Sequence, residues 1–360
     1  MAAPRPFNLV AELTYRCPLR CPYCSNPVDH ASLRDGLSAG DWTRIFAEAA
    51  DLGVVHVGLT GGEPSTRSDL EQIVRGAAAA GLFSHLVTAG RPLAPERLTD
   101  LHREGLRSVQ LSFQDATAAE SDRIAGTTSF AAKLAIAEAV RSLDLPLILN
   151  VVLHRENLAR VGAIIELAKR LGATRLELAN VQLHGWARQN RQALLPTREQ
   201  LETAATVVRE ARSQGGSMEL VFVLPDHWSE RPKPCMGGWG RKTIVVAPDG
   251  LVMPCHEARS IPGTELWTAA ERSLRECWED SPGINRFRGS DWMAEPCRSC
   301  PERERDFGGC RCQALHLGGD AGVTDPACAL SPARASLIAA RADAEADAEW
   351  IYRGTTIPGE

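Results

Sequence analysis

Several features that would place a protein in a common class are missing from this 360-residue sequence. No apolar run approaches the roughly 20 residues that a membrane-spanning helix needs. The net charge is −5, so the chain lacks the basic surplus that marks nucleic-acid-binding proteins. Residues 1–6 lack the apolar core of a signal peptide, and we therefore expect a cytoplasmic protein.

Cysteine is missing from the long middle part of the chain. Of the eleven cysteines, three lie at or before Cys24, none follows until Cys235, and the other eight lie from Cys235 to Cys328. In a reducing compartment, clustered cysteines bind metal more often than they form disulfides. The gap predicts two cysteine-bearing modules separated by a scaffold.

The scaffold itself alternates between apolar, β-branched runs and amphipathic segments. Strands are predicted at residues 8–13, 54–60, 83–88, 108–113, 147–153 and 175–181, and helices at 38–52, 68–80, 94–104, 129–142, 157–171 and 198–213. Alternation of this kind indicates parallel β/α units. The count favours an α/β fold with a partial, TIM-like (β/α)6 barrel, in which ligands bind at the C-terminal ends of the strands.

The first cysteine group directly follows the first predicted strand. Cys17, Cys21 and Cys24 are spaced C-x3-C-x2-C, and no fourth cysteine is near. A [4Fe–4S] cluster normally takes four thiolates, so three indicate a cluster with one open iron that can bind a ligand. Tyr23 suits stacking beside a bound base. The alternative is a zinc site completed by His30 or by a distant cysteine.

Polar and glycine-rich segments follow several of the other strands. Gly61, Gly62, Glu63 and Pro64 form a turn after the second strand, where glycines allow close approach of the backbone to a ligand. Ser112 and Asn150 are candidate ligand contacts on later strands, although each also fits a purely structural hydrogen bond. The same mouth is expected to hold Asn180, Gln182, His184 and His154.

The second module contains a predicted β-hairpin at residues 242–255, which turns at Pro-Asp-Gly and ends at Cys255. Cys235 precedes the hairpin. The other candidate ligands downstream are Cys297, Cys300, Asp306, Cys310, Cys312 and Cys328. A zinc ribbon would use four of these and leave too many thiolates over, so two clusters fit the set better. Cys277 lies in an apolar helical segment and is predicted to be a core residue.

These motifs together resemble the radical SAM (S-adenosylmethionine) superfamily with a C-terminal SPASM domain. The resemblance implies that SAM binds the open iron at Cys17, Cys21 and Cys24, with Gly61–Pro64 at its amino group and strand-end residues such as Ser112 and Asn150 near its ribose and carboxylate. It also implies two auxiliary clusters, [4Fe–4S] and/or [2Fe–2S]. One would take Cys235, Cys255, Cys310 and Cys312, and the other would take Cys297, Cys300, Asp306 and Cys328.

One branch of the superfamily is especially similar, the radical SAM enzymes of pyrroloquinoline quinone (PQQ) biosynthesis. The matching segments are Cys21–Pro27, Gly185–Ala187, Gly237–Lys242, Gly308–Leu315 and Asp325–Cys328. The resemblance implies a carbon–carbon cross-link between Glu and Tyr of a PqqA-like ribosomal precursor peptide. It also implies a small PqqD-like peptide chaperone and an electron donor such as flavodoxin. No base for the cross-link is identified.

The domain division expected from this reading is a barrel at 1–220, an auxiliary-cluster domain at 221–330, and a C-terminal helix and tail at 331–360. The helix is expected to pack through Leu337 and Ile338, and the tail past Tyr352 is expected to be mobile. Two alternatives stay open. One is a maturase of the same type that acts on another ribosomal peptide, and the other is a metal-binding protein without catalytic activity.

Overall fold

The computed structural model describes residues 3–345 and 348–355. Nine strands form one sheet in the order β7-β6-β5-β4-β3-β2-β1-β8-β9. The strands are β1 Asn8–Thr14, β2 His56–Gly61, β3 Phe83–Thr88, β4 Ser108–Phe113, β5 Leu147–Leu153, β6 Arg175–Asn180, β7 Glu219–Phe222, β8 Thr243–Val246 and β9 Val252–Met253. All pairs are parallel except β8 with β9. The sheet has two ends, β7 and β9, so the barrel is partial, as predicted.

The α-helices cover the sheet and build the C-terminal part. They are α1 Ala39–Leu52, α2 Leu70–Ala79, α3 Pro95–Arg103, α4 Ala118–Ala125, α5 Phe130–Ser142, α6 Val161–Arg170, α7 Gly185–Gln189, α8 Arg191–Leu194, α9 Arg198–Ser213, α10 Leu274–Asp280, α11 Pro282–Asn285, α12 Arg303–Asp306, α13 Arg311–Gly318 and α14 Arg334–Ala340. Across residues 3–345 and 348–355, none of the helices combines the length and the apolar character needed to cross a bilayer.

The core lies between the sheet and its helices. Trp42, Ile45 and Phe46 of α1 recur at helical spacing and are fully buried, since three- and four-residue steps place side chains on one face. Capping is local: Ser38 and Asp41 form a reciprocal capping box at the start of α1, and Gly53 ends the helix in the left-handed conformation. All six predicted β/α strands are present.

The second module joins the barrel through the sheet. The predicted hairpin is present, because Val245 pairs with Met253 and Val246 with Val252 in antiparallel register. Its first strand, β8, also pairs in parallel with β1, which makes the hairpin the edge of the barrel sheet. At the opposite edge β7 pairs with β6, and the predicted domain boundary at 220/221 falls inside β7. The domain division therefore stays a prediction.

The C-terminal segment differs from the prediction. The helix runs only over Arg334–Ala340 and is followed by a 3-10 turn at Arg341–Glu345. Leu337 is buried as expected, but Ile338 is 52% exposed. Residues 348–355, called here the C-terminal strap, pack back against the barrel, and Arg353 is buried. Tyr352 does not begin a free tail, because Arg353 N donates to Arg20 O at 3.1 Å. Residues 346–347 and 356–360 lie outside the described residues.

Candidate radical SAM and iron–sulfur site

The loop after β1 brings Cys17, Cys21 and Cys24 to one cavity of about 320 Å³, called here the barrel cavity. Burial raises the pKa of the Cys17 thiol to about 12, although the charge of the nearby Arg353 guanidinium lowers it. Burial likewise raises the pKa of Cys21 to about 11, although the charge of Lys133 lowers it. Buried thiols clustered in this way are costly as thiolates unless a metal neutralises them. The donor chemistry therefore fits an iron–sulfur cluster.

The Gly61–Gly62 turn packs directly on this loop. Gly62 N donates to Thr14 O at 2.5 Å, and Glu63 N donates to Arg16 O at 2.7 Å. A Cβ on Gly61 would lie 2.3 Å from Thr14 O, and one on Gly62 would lie 2.3 Å from Arg16 O. The glycines are thus required by the close approach of the cysteine loop, in addition to lining the cavity.

Glu63 and Pro64, the other two residues of the turn, do not line the barrel cavity. The Glu63 carboxylate is fully buried and accepts hydrogen bonds from Ser65 Oγ at 2.6 Å, Thr88 Oγ1 at 2.8 Å and Ala89 N at 2.6 Å. Burial raises its pKa, against the lowering effect of these donors. The Glu63 carboxylate thus ties the turn to the end of β3, and the placing of this turn at the amino group of SAM stays a prediction.

The other predicted contacts divide between cavity and core. Tyr23, Ser112, Asn150, Asn180 and Gln182 line the barrel cavity. Neighbouring strands set their spacing, because Ser112 of β4 lies opposite Asn150 of β5. Asn150 Nδ2 also donates to Glu177 Oε2 at 3.4 Å, so a neighbouring strand satisfies it in part. Tyr23 OH accepts from Gln114 Nε2 at 3.0 Å.

His154 was expected at the cavity mouth, but it is fully buried and lines neither of the cavities described here. Its ring lies 5.6 Å from that of Tyr23 and 6.2 Å from that of Trp350. Burial lowers its pKa to about 3. His154 is therefore a neutral ring that packs beside Tyr23.

The C-terminal half gathers four cysteines at the end of the hairpin and the start of α13. Cys255 Sγ lies 3.9 Å from Cys312 Sγ. Cys235 and Cys310 also take part in hydrogen bonds among the thiols. The hydrogen bonds that Cys255 makes with Cys235 and Cys312 lower the pKa of Cys255. Thiols in mutual contact, two of them buried, fit a cluster or metal better than free cysteines. These four are the first predicted auxiliary set.

The second predicted auxiliary set also converges. Cys297, Cys300, Asp306 and Cys328 line one small concavity. Cys297 Sγ contacts Thr324 Oγ1 at 3.3 Å, and Asp306 Oδ1 accepts from Gly308 N at 2.9 Å. Asp306 ends α12 and is followed by Phe307 in the left-handed conformation, which turns the chain towards Cys310. Cys277 is fully buried in α10 among apolar residues, as predicted.

A second cavity, of about 390 Å³, lies between the barrel cavity and the first auxiliary set. This auxiliary cavity is lined by Cys235, Cys255, Cys310 and Cys312 on one side, and it shares Ser25, Asn180 and Gln182 with the barrel cavity. His184 lines the auxiliary cavity only. The two cavities are therefore adjacent, and each is lined by one of the two cysteine sets.

Sequence patterns missed several residues of this site. Lys133 is buried and donates to Gln114 Oε1, and burial lowers its pKa to about 8. Arg353 lines the barrel cavity from the C-terminal strap. Asn190 holds the strap to the cysteine loop: it donates to Pro22 O at 2.9 Å and to Ile351 O at 2.7 Å. No motif identifies these residues, because their partners are distant in sequence.

The fold and the cysteine sets define a class: a radical SAM enzyme that carries a C-terminal iron–sulfur domain. The Radical SAM superfamily profile matches residues 11–168, and the profile of an iron–sulfur cluster-binding domain, SPASM, matches residues 235–301. Crystal structures with the same fold include Streptococcus suis SuiB bound to S-adenosylmethionine, with a TM-score of 0.72 and 18% identity over 91% of this chain and 77% of that one.

The particular family follows from sequence relatives. The PqqA peptide cyclase of Methylocella silvestris is 48% identical over 98% of this chain and 96% of its own length. That of Gluconobacter oxydans is 48% identical over 91% of both chains. The chain belongs to the PqqA peptide cyclase family of radical SAM enzymes.

Proposed function

We propose that this chain cleaves SAM reductively and joins the γ-carbon of a Glu to the ring of a Tyr in a PqqA-like precursor peptide. The product is the first intermediate of PQQ biosynthesis. The observation that carries the proposal is the auxiliary cavity, which lies between the SAM-side cysteines and the first auxiliary set. Two side chains held there would meet both a radical source and an electron acceptor.

The proposed ligands follow the three cysteine sets. Cys17, Cys21 and Cys24 hold a [4Fe–4S] cluster whose open iron binds SAM. The auxiliary clusters, [4Fe–4S] and/or [2Fe–2S], are held by the set around Cys255 and by the set that includes Asp306. A carboxylate is a harder ligand than a thiolate, so Asp306 would tune the second of these clusters.

This chain's own residues would bind and orient SAM in the barrel cavity. Gly61 and Gly62 present backbone to its methionine part, Ser112 and Asn150 offer hydrogen bonds, and Tyr23 offers a stacking face. When bound, SAM and the clusters supply hydrogen abstraction by a 5′-deoxyadenosyl radical and one-electron transfer. The peptide loses two hydrogen atoms in total, one abstracted from Glu and one leaving the Tyr ring as a proton and an electron.

The proposed partners are the precursor peptide, a small PqqD-like chaperone that presents it, and an electron donor such as flavodoxin. The proposed division is a barrel at 1–220, an auxiliary domain at 221–330 and a terminal segment at 331–360. Family membership supports the peptide substrate. A crystal structure of SuiB bound to its precursor peptide SuiA has the same fold, at 17% identity.

The test is mass spectrometry of the precursor peptide after anaerobic turnover with SAM, reductant and the chaperone. We expect a peptide lighter by two hydrogen atoms, with Glu and Tyr linked in its fragment spectrum. Variants C17A, C21A and C24A should yield neither product nor 5′-deoxyadenosine. The matched control is C277A, which removes a buried core thiol and should retain both. Formation of 5′-deoxyadenosine with an unchanged peptide would instead favour a maturase of another peptide.

A further inference from the structure

Three side chains outside the cysteine sets converge at the auxiliary cavity: His184, Glu257 and His316. One donor atom of each lies within 4.8 Å of the other two. The His316 Nε2–Glu257 Oε1 distance is 3.9 Å, and the two imidazole rings lie 5.9 Å apart at an angle of 50°. These separations are too long for direct hydrogen bonds and leave a gap between the donors.

The two histidines present ring nitrogens without protein partners. In the part of the chain that the structure describes, His184 Nδ1 and His316 Nε2 are both buried and have no hydrogen-bond partner. Buried polar atoms are normally satisfied, so two of them beside one carboxylate point to a missing ligand. Two imidazoles and a carboxylate form a donor set that binds Zn²⁺ and other divalent first-row metals.

The three residues stand on well-fixed backbone. His184 immediately precedes α7, where Gly185 packs so closely that an added Cβ would lie 2.1 Å from Asn26 O. His316 lies one turn after Cys312 in α13, which places both on the same side of that helix. Glu257 follows Cys255 by two residues. The donors thus come from the barrel side and from the auxiliary side of one cavity.

We propose that His184, Glu257 and His316 form a binding site for a divalent cation such as Zn²⁺, separate from the iron–sulfur clusters. Donors on one tetrahedral ion lie about 3.3 Å apart, so the separations seen here must shorten by roughly 0.5–1.5 Å. Side-chain rotation provides this closure. The remaining coordination positions face the cavity, where water or an oxygen of the peptide completes the shell; the peptide part rests on the proposed function.

The test measures zinc bound to the enzyme with its clusters fully loaded, without SAM or peptide. After incubation with Zn²⁺ and gel filtration, we expect about one zinc per chain with unchanged iron content. X-ray absorption at the zinc edge should show nitrogen and oxygen ligands at about 2.0–2.2 Å and no sulfur at about 2.3 Å. Sulfur ligands would mean zinc in the cysteine sites and would overturn the proposal, as would the absence of zinc uptake.

Variants assign the site to the three residues. H184A, E257Q and H316A should each lower zinc uptake at least tenfold at limiting Zn²⁺. H102A is the matched control, because His102 lies in α3 and bonds Leu106 O, away from the cavity. Full zinc uptake in the three variants would overturn the proposal. Should a variant lose iron through misfolding, the zinc-edge spectrum of the unmodified enzyme still decides. Because no peptide is present, this result is independent of the cyclisation assay.

Discussion

Arg353 brings a positive charge from the C-terminal strap into a cavity built by the first half of the chain. It is 4% exposed, and its Nε has no hydrogen-bond partner among the described residues. Its charge opposes the effect of burial on the pKa of Cys17 and of Cys21. A guanidinium in this position stabilises negative charge on the cysteine loop.

The first prediction concerns this charge. R353M should lower the reduction potential of the cluster at Cys17, Cys21 and Cys24 by roughly 50–100 mV, since about 60 mV in a one-electron couple corresponds to about 1.4 kcal/mol. A redox titration followed by electron paramagnetic resonance measures the shift, and R353K should recover part of it. The control is R16M, because Arg16 is in the same loop but its side chain is 66% exposed. Equal potentials for R353M and the parent enzyme would contradict this assignment.

Gly62 is the second residue on which the cysteine loop depends. In G62A the new Cβ would lie 2.3 Å from Arg16 O, so the loop must shift. We expect a loss of about 2–4 kcal/mol in unfolding free energy. The change that SAM causes in the electron paramagnetic resonance spectrum of the cluster at Cys17, Cys21 and Cys24 should also become smaller.

Gly58, in the strand β2 that precedes this turn, serves as the control for Gly62. In G58A the added Cβ meets nothing within 4 Å, so the unfolding free energy should change by no more than about 1 kcal/mol. Thermal unfolding and the resonance spectra with and without SAM measure both variants. Similar stability and similar spectra for G62A and G58A would show that the close approach of Gly62 to Arg16 O does not determine the position of the cysteine loop.

At the scale of elements, the C-terminal strap closes over the cysteine loop. Asn190, which is 3% exposed, links them: its Nδ2 donates to Pro22 O and Ile351 O, and its Oδ1 accepts from Ile351 N at 2.6 Å. The ring of Trp350 in the strap contacts the ring of His154 edge to face, and the His154 ring in turn packs beside that of Tyr23. The strap therefore shields the loop from solvent.

The third prediction tests this link. N190A leaves the backbone groups of Pro22, which is buried, and Ile351, which is partly buried, without their partner and should cost about 2–4 kcal/mol of unfolding free energy. In air, the cluster of the first cysteine set should bleach several times faster than in the parent enzyme, as measured by absorbance. N285A is the control, because Asn285 is exposed and its side-chain hydrogen bonds, with Glu279 O and Arg288 Nη1, lie at the surface. An unchanged bleaching rate would show that the strap does not protect the loop.

The elements also show what sequence patterns can predict. The six barrel strands carry apolar residues, almost continuously in β5 and in alternation in β6, and the hairpin carries Pro-Asp-Gly at its turn, so both were predictable from local signals. The pairing of β8 with β1 was not, because nothing in either strand specifies a partner more than 200 residues away. Cys17, Cys21 and Cys24 are close together in sequence, so their spacing was informative. Arg353 and Asn190 contact residues that are distant in sequence, so no local pattern indicated their roles.

Local patterns did not reveal two features that depend on tertiary contacts. Nothing in Gly-Gly-Glu-Pro indicates that Thr88 and Ala89, at the buried end of β3, donate to the carboxylate of Glu63. Nor did the sequence show where the terminal helix ends: in the described part of residues 331–360, only Arg334–Ala340 is α-helical. Helix propensity is a weak guide where tertiary contacts decide, as they do for the strap.

At the scale of the whole molecule, the two cavities and three cysteine sets form a series. The barrel cavity with Cys17, Cys21 and Cys24 is followed by the auxiliary cavity, and that cavity is followed by the set containing Cys255. The set with Asp306 lines a separate, small concavity that shares no lining residue with the auxiliary cavity. In the function proposed above, this arrangement separates the place where SAM is cleaved from the place where an electron leaves the peptide.

The fourth prediction follows from this separation. C255A removes a thiol of the first auxiliary set without touching the barrel cavity, so 5′-deoxyadenosine should still form while the cross-linked peptide falls at least tenfold. C277A is again the matched control, because its thiol is equally buried but lies in the apolar core of α10. Iron content and the two products, measured by mass spectrometry on the same samples, distinguish the steps. Undiminished cross-linking in C255A with reduced iron would mean that the electron leaves by another route, and loss of both products would mean that the two ends of the molecule are not independent.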